Sequence, residues 1–159
     1  MALSEVAEVS YQAHIPAPSS TLTPPLTSFL FSLSFKSANM PSPAHELSLS
    51  SNETHVSQTC TTYGLSSTQF HTLHKRCAAS KATAYCPYSR FRVGASILTH
   101  DDQYIDGANV ENAAYPVGTC AERVAFGKAV TEGHRKFKAV AVATDISPPA
   151  SPCGMCRQL

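Results

Sequence analysis

Three of the six cysteines constrain this chain more than any other feature. Cys153 and Cys156 flank Gly154 and Met155, and Cys120 opens the run Cys120-Ala121-Glu122. Side chains three residues apart share one face of a helical turn, so Cys153 and Cys156 can grip a single ion. The 29 residues between Glu122 and Pro152 are enough for the rest of one helix, one strand and a loop. A fold that uses all three thiols must therefore bring two helix starts together. Thiols at helix N-termini are stabilised as thiolates by free N–H groups and the helix dipole. Three thiolates on Zn²⁺ leave one tetrahedral position open, the mark of a catalytic rather than a structural site.

Glu122 lies two residues beyond Cys120, close enough to face that open position without ligating. A carboxylate placed there can carry a proton from water to a leaving group. The same residues fit a capping box, in which Glu122 would only bond the backbone of Thr119. Three thiolates on Zn²⁺ carry a net charge of about −1, which opposes making water acidic. Arg123 can offset that charge by hydrogen bonding to a thiolate; alternatively it is an ordinary solvated helix residue. Cys86 is a small buried residue or a fourth ligand, and the Cys153/Cys156 pair can also be read as a redox dithiol. None of the seven histidines has ligand spacing.

The chain has two compositional halves. Residues 1–62 hold six of the eleven prolines and are rich in Ser and Thr, so they are expected to form a disordered tail. The apolar stretch at 26–35 lacks a basic segment before it and is too short to span a bilayer. Residues 1–70 carry one basic and four acidic side chains, and the remainder eleven basic and seven acidic. That modest excess falls short of a nucleic-acid footprint. Cysteines without a secretory signal favour a reducing compartment, and a cytoplasmic protein with no membrane partner is expected.

From Leu65 the pattern becomes periodic. Ser66 with Gln69 is a capping-box signal, and Phe70, Leu73, His74 and Cys77 recur at helical spacing, which predicts a helix over 66–84. A strand over 91–99, a turn at 100–103 and a returning strand over 104–109 form a hairpin. The loop 110–118 leads to a second helix over 119–132, ended by Gly133. Residues 138–144 suit a central strand, and Cys153 opens a third helix. This order predicts an α/β layer with helices packed on a mixed sheet.

The constellation of Cys, a Glu two residues on, and then Pro-Cys-x-x-Cys resembles the zinc deaminases. Residues from about 65 to 159 resemble the small homotetrameric cytidine deaminases. The resemblance rests on Tyr85-Cys86-Pro87-Tyr88-Ser89-Arg90-Phe91-Arg92-Val93-Gly94-Ala95, on Asn109-Val110-Glu111-Asn112-Ala113-Ala114-Tyr115-Pro116 and on Cys153-Gly154-Met155-Cys156-Arg157-Gln158. It implies a catalytic domain over 63–159 with Zn²⁺ as cofactor, Cys120, Cys153 and Cys156 as its ligands, and Glu122 as the proton shuttle. It further implies that Asn109 and Glu111 hold the ribose hydroxyls, that Phe91 packs on the pyrimidine, that Ala121 touches substrate, and that Tyr115 reaches a neighbouring subunit. Asn109 and Glu111 also fit a loop anchored by its own side chains.

The implied reaction is hydrolysis of cytidine and 2′-deoxycytidine to uridine and 2′-deoxyuridine, in pyrimidine salvage. The rivals are a deaminase of another base or of nucleic acid, and an inactive or structural-zinc fragment. Cys156 is three residues from Leu159, so the resemblance also implies a fold incomplete at its C-terminus, lacking the rest of the third helix and two strands.

Overall fold

The computed structural model describes residues 8–9, 53–146 and 150–159. Its sheet has the order β1-β4-β2-β3, with β1 at Glu8–Val9, β2 at Val93–Thr99, β3 at Tyr104–Ala108 and β4 at Phe137–Thr144. β2 and β3 form the expected hairpin, with Ile97 opposite Ile105. β3 and β4 both run against β2, so they run the same way and are joined across it by helix α3 (Ala121–Thr131). The α/β layering expected from the sequence is present, and every ladder among the described strands is antiparallel.

Strand alternation sorts the core into two faces. Leu98, Ala139, Ala141 and Ala143 pack with Phe70, Leu73 and Cys77 of helix α2 (Ser67–Ser80). Ala95, Ile97, Ile105 and Val142 pack with Ala121, Ala125, Phe126 and Ala129 of α3. Phe137 joins the second face because the β2–β4 register shifts between Leu98 and Thr99. A bulge there adds one residue and turns Phe137 toward α3, where its ring meets Phe126 edge-on at 5.1 Å.

α2 starts as its sequence dictates. The Ser66 hydroxyl accepts from the Gln69 N–H at 3.1 Å, and the Gln69 side chain accepts from the Ser66 N–H at 2.9 Å. Ser66→Ala is expected to cost about 1 kcal/mol, read as a lower urea midpoint with an unchanged slope.

Order begins earlier than the composition suggests. Residues 53–62 fall in the stretch expected to be a disordered tail, yet Glu53–Tyr63 is helix α1. Val56 and Cys60, at i and i+4, join the α2-side core together with Leu65. Thr61 and Thr62 return their hydroxyls to the carbonyls of Ser57 and Gln58, so these poor helix formers are accommodated. Residues 1–7 and 10–52 of the expected tail lie outside the described residues. The expected third helix is also corrected: Cys156–Gln158 is a single 3₁₀ turn, with the Gln158 N–H on the Met155 carbonyl at 3.2 Å and one α-type bond from the Arg157 N–H to the Cys153 carbonyl at 3.1 Å. No helix among the described residues is long and apolar enough to cross a membrane.

Candidate metal centre and active site

The N-terminus of β2 and the C-terminal ends of β3 and β4 lie at one end of the sheet, where open α/β sheets place their ligands. Three chain segments leave from that end. Residues 85–92 lead into β2, residues 109–120 join β3 to α3, and the chain beyond Thr144 leads to Cys153. Tyr85 and Val110 bridge the first two, and Val110 bridges on to Thr119, one residue before Cys120.

Cys120 is the residue from which α3 starts, in extended backbone at φ −68° and ψ 155°. Its Sγ lies 3.7 Å from that of Cys153, and Cys153 Sγ lies 3.4 Å from that of Cys156. All three sulfurs fall within 4.8 Å of one another. Sulfurs bound to one zinc ion at about 2.3 Å would sit about 3.8 Å apart in a tetrahedron, so the spacing and the donor type fit zinc. Cys86 is not part of this sulfur cluster.

The three thiols differ electrostatically. Burial raises Cys120 above the ordinary thiol value; burial and then the charge of Glu122 raise Cys156 strongly. Cys153 is exposed and lowered, chiefly by the backbone N–H of Cys156. Uptake of a cation must therefore displace protons, and affinity falls as pH falls.

Glu122 is buried, at 7% exposure, in the first turn of α3. The helix start carries no side-chain cap hydrogen bond, so the capping-box alternative is not what holds Glu122. The Arg123 guanidinium donates to the thioether of Met155 at 3.7 Å, between the paired cysteines. Ala121 is fully buried beside them, and Tyr115 is 92% exposed.

Asn109 and Glu111 are engaged with the neighbouring loop. Asn109 Oδ1 accepts from the Val93 N–H at 2.8 Å, and its Nδ2 donates to the Phe91 carbonyl at 2.9 Å. Glu111 accepts from the Ser89 hydroxyl and from the N–H groups of Tyr88 and Ser89 at 3.0 and 3.1 Å. The Ser89 hydroxyl is the main reason the Glu111 carboxyl lies below its ordinary value. These bonds are present above the usual carboxylate range and are lost as pH falls through the lowered value. Ser89 and Asp145, which also bind this loop, are not singled out by sequence reading. No local pattern marks them.

Known proteins match part of this chain. A cytidine deaminase from Sporosarcina psychrophila is 52% identical over 80 residues, covering 50% of this chain and 59% of its own length. A probable cytidine deaminase from Dictyostelium discoideum is 49% identical over 80 residues, 50% of this chain and 54% of its own. This chain thus spans little more than half of these curated relatives. The crystal structure of cytidine deaminase from Burkholderia pseudomallei superposes with a TM-score of 0.54 at 44% identity, covering 55% of this chain and 71% of that one. Residues 67–159, which include all three clustered thiols, match the model of the cytidine and deoxycytidylate deaminase zinc-binding region. With more than half its length inside that match, the chain belongs to this family.

Proposed function

We propose that the chain is the catalytic part of a zinc-dependent hydrolytic deaminase that converts cytidine and 2′-deoxycytidine to the uridine products and ammonia. The observation that carries this reading is the gathering of Cys120, Cys153 and Cys156 at the start of α3, with Glu122 buried in its first turn. The three thiols would hold the ion. Bound zinc supplies Lewis-acid chemistry that makes water a nucleophile near neutral pH. Glu122 takes one proton from the attacking water and delivers it to N3 of the base, then carries the remaining hydroxyl proton of the C4 adduct to the amine, which leaves as ammonia as the C4–N bond breaks. Arg123 balances the negative charge of the thiolates through the cysteine loop.

Phe91, Ala121, Asn109 and Glu111 make the nucleoside contacts in this reading. The catalytic unit is 63–159, with α1 packed against it. Exposed Tyr85, Tyr88, Tyr115 and Val117 around the site suit burial in a homotetramer, in which Tyr115 reaches a neighbouring subunit. Pyrimidine salvage in the cytoplasm is the setting that fits a free-nucleoside substrate and cysteines kept reduced.

The test is to load the full chain with zinc and follow uridine and ammonia released from cytidine, from 2′-deoxycytidine and from a cytosine-bearing single-stranded oligonucleotide. Turnover of the two nucleosides without the oligonucleotide is expected. Turnover of the oligonucleotide alone, or of nothing at one zinc per chain, would overturn the reading.

A further inference from the structure

The loop over residues 86–92 has its backbone held almost wholly by side chains. The amides of Tyr88 and Ser89 donate to Glu111, that of Phe91 to the Ser89 hydroxyl at 3.0 Å, and that of Val93 to Asn109. The Arg90 N–H bonds the Cys86 carbonyl at 3.0 Å, and Arg90 takes a positive φ of 57°, unusual for a residue with a Cβ. The amide of Arg92 donates to Asp145 Oδ2 at 3.2 Å.

Asp145 does more than accept that bond. The guanidinium of Arg92 reaches it through Nε at 2.9 Å and through a terminal nitrogen at 3.1 Å, a paired contact that fixes direction as well as distance. Lys81, beyond the end of α2, lies 3.3 Å from the other carboxylate oxygen and also donates to the Thr144 carbonyl at 3.1 Å. The Asp145 side chain is only 26% exposed and that of Lys81 18%. Asp145 thus ties Arg92, next to Phe91, to the end of β4 and the end of α2, whereas Asn109 and Glu111 tie the same loop to the segment after β3. Of these three anchors, only Asp145 is not part of the proposed nucleoside contacts.

We propose that Asp145 is a positioning residue for Phe91. It fixes the backbone from which Phe91 projects, in the stretch where Arg90 takes its positive φ. The consequence for substrate rests on the deaminase reading; the effect on the loop does not. Phe91 would pack on the base equally in ground and transition states, so loosening it removes uniform binding and raises KM rather than lowering kcat.

The experiment compares the zinc-loaded full chain with Asp145→Asn and Asp145→Ala, by hydrogen exchange and by cytidine kinetics. Exchange over residues 86–93 is expected to speed about tenfold in Asp145→Ala and less in Asp145→Asn, with α3, β3, β4 and the rest of β2 unchanged. KM for cytidine is expected to rise about tenfold with kcat within about twofold. Unaltered exchange over 86–93, loss of protection throughout the sheet, or a fall in kcat at constant KM would overturn the proposal. If neither wild type nor variants deaminate cytidine, while residues 86–93 alone lose protection, the loop assignment stands and the deaminase reading fails.

Discussion

Glu122→Gln is expected to lower kcat for cytidine by about 10²- to 10⁴-fold while the protein retains its zinc. The substitution keeps the volume of a side chain that is 7% exposed, so no cavity opens in the first turn of α3. It removes the carboxylate that moves a proton in the proposed mechanism, and it leaves all three sulfurs untouched. Stability should change little. The lost charge forfeits about 0.3–1 kcal/mol of favourable interaction with the helix N-terminus, partly offset because Glu122 opposes the charged forms of Cys120 and Cys156. The measurement pairs zinc content with turnover under substrate saturation. A variant that deaminates within threefold of wild type would assign Glu122 to structure and remove the proton carrier from the mechanism.

Gly107→Ala should damage the same site without touching it. A Cβ at this position in β3 would lie 2.5 Å from the Ala121 carbonyl oxygen and 2.6 Å from the Ala125 nitrogen. Both are backbone atoms of α3, so no side chain can rotate aside and the helix itself must lift. Overpacking of this kind costs about 1–3 kcal/mol. Because Ala121 stands between Cys120 and Glu122, the displacement passes directly to a proposed metal ligand and to the proposed proton carrier. The expected result is a lower urea midpoint with the slope unchanged, together with faster loss of zinc to a chelator. Gly127→Ala is the control, since a Cβ there meets nothing within 4 Å and lies within the same helix. It should be neutral, or stabilising by up to about 1 kcal/mol through helix propensity. Equal stability and equal zinc retention in the two variants would show that β3 and α3 need no such close approach.

The features legible in the sequence were those whose partners lie close by. Ser66 and Gln69 act over three residues, and the structure closes that capping box in both directions. The hairpin turn sits between strands that pair with each other, and the cysteine spacing announces itself because few other chemistries need it. What escaped reading depends on distant partners. The carboxylate of Asp145 meets Arg92 and Lys81, 53 and 64 positions away, and nothing around it differs from an ordinary loop. In α1 the Val56–Cys60 stripe is narrow and set among Ser and Thr, so composition pointed one way and the buried face another. The turn of Phe137 toward α3 follows from a shift in pairing with β2, and such register changes are decided by packing. Asn109 and Glu111 were located by resemblance, while their grip on residues 88–93 is a property of three-dimensional proximity.

Helix α1 ends four residues before the family match begins at residue 67, yet Val56 and Cys60 share one core with Ala139, Ala141 and Ala143 of β4. The boundary of the family match and the boundary of the packed core therefore fall at different places in this chain. A version trimmed to the matched region would keep every clustered thiol and still lose Val56, Cys60 and Leu65 from that core. For anyone preparing, grafting or recombining this domain, the cut belongs ahead of Glu53, because α1 packs into the same core as the matched region.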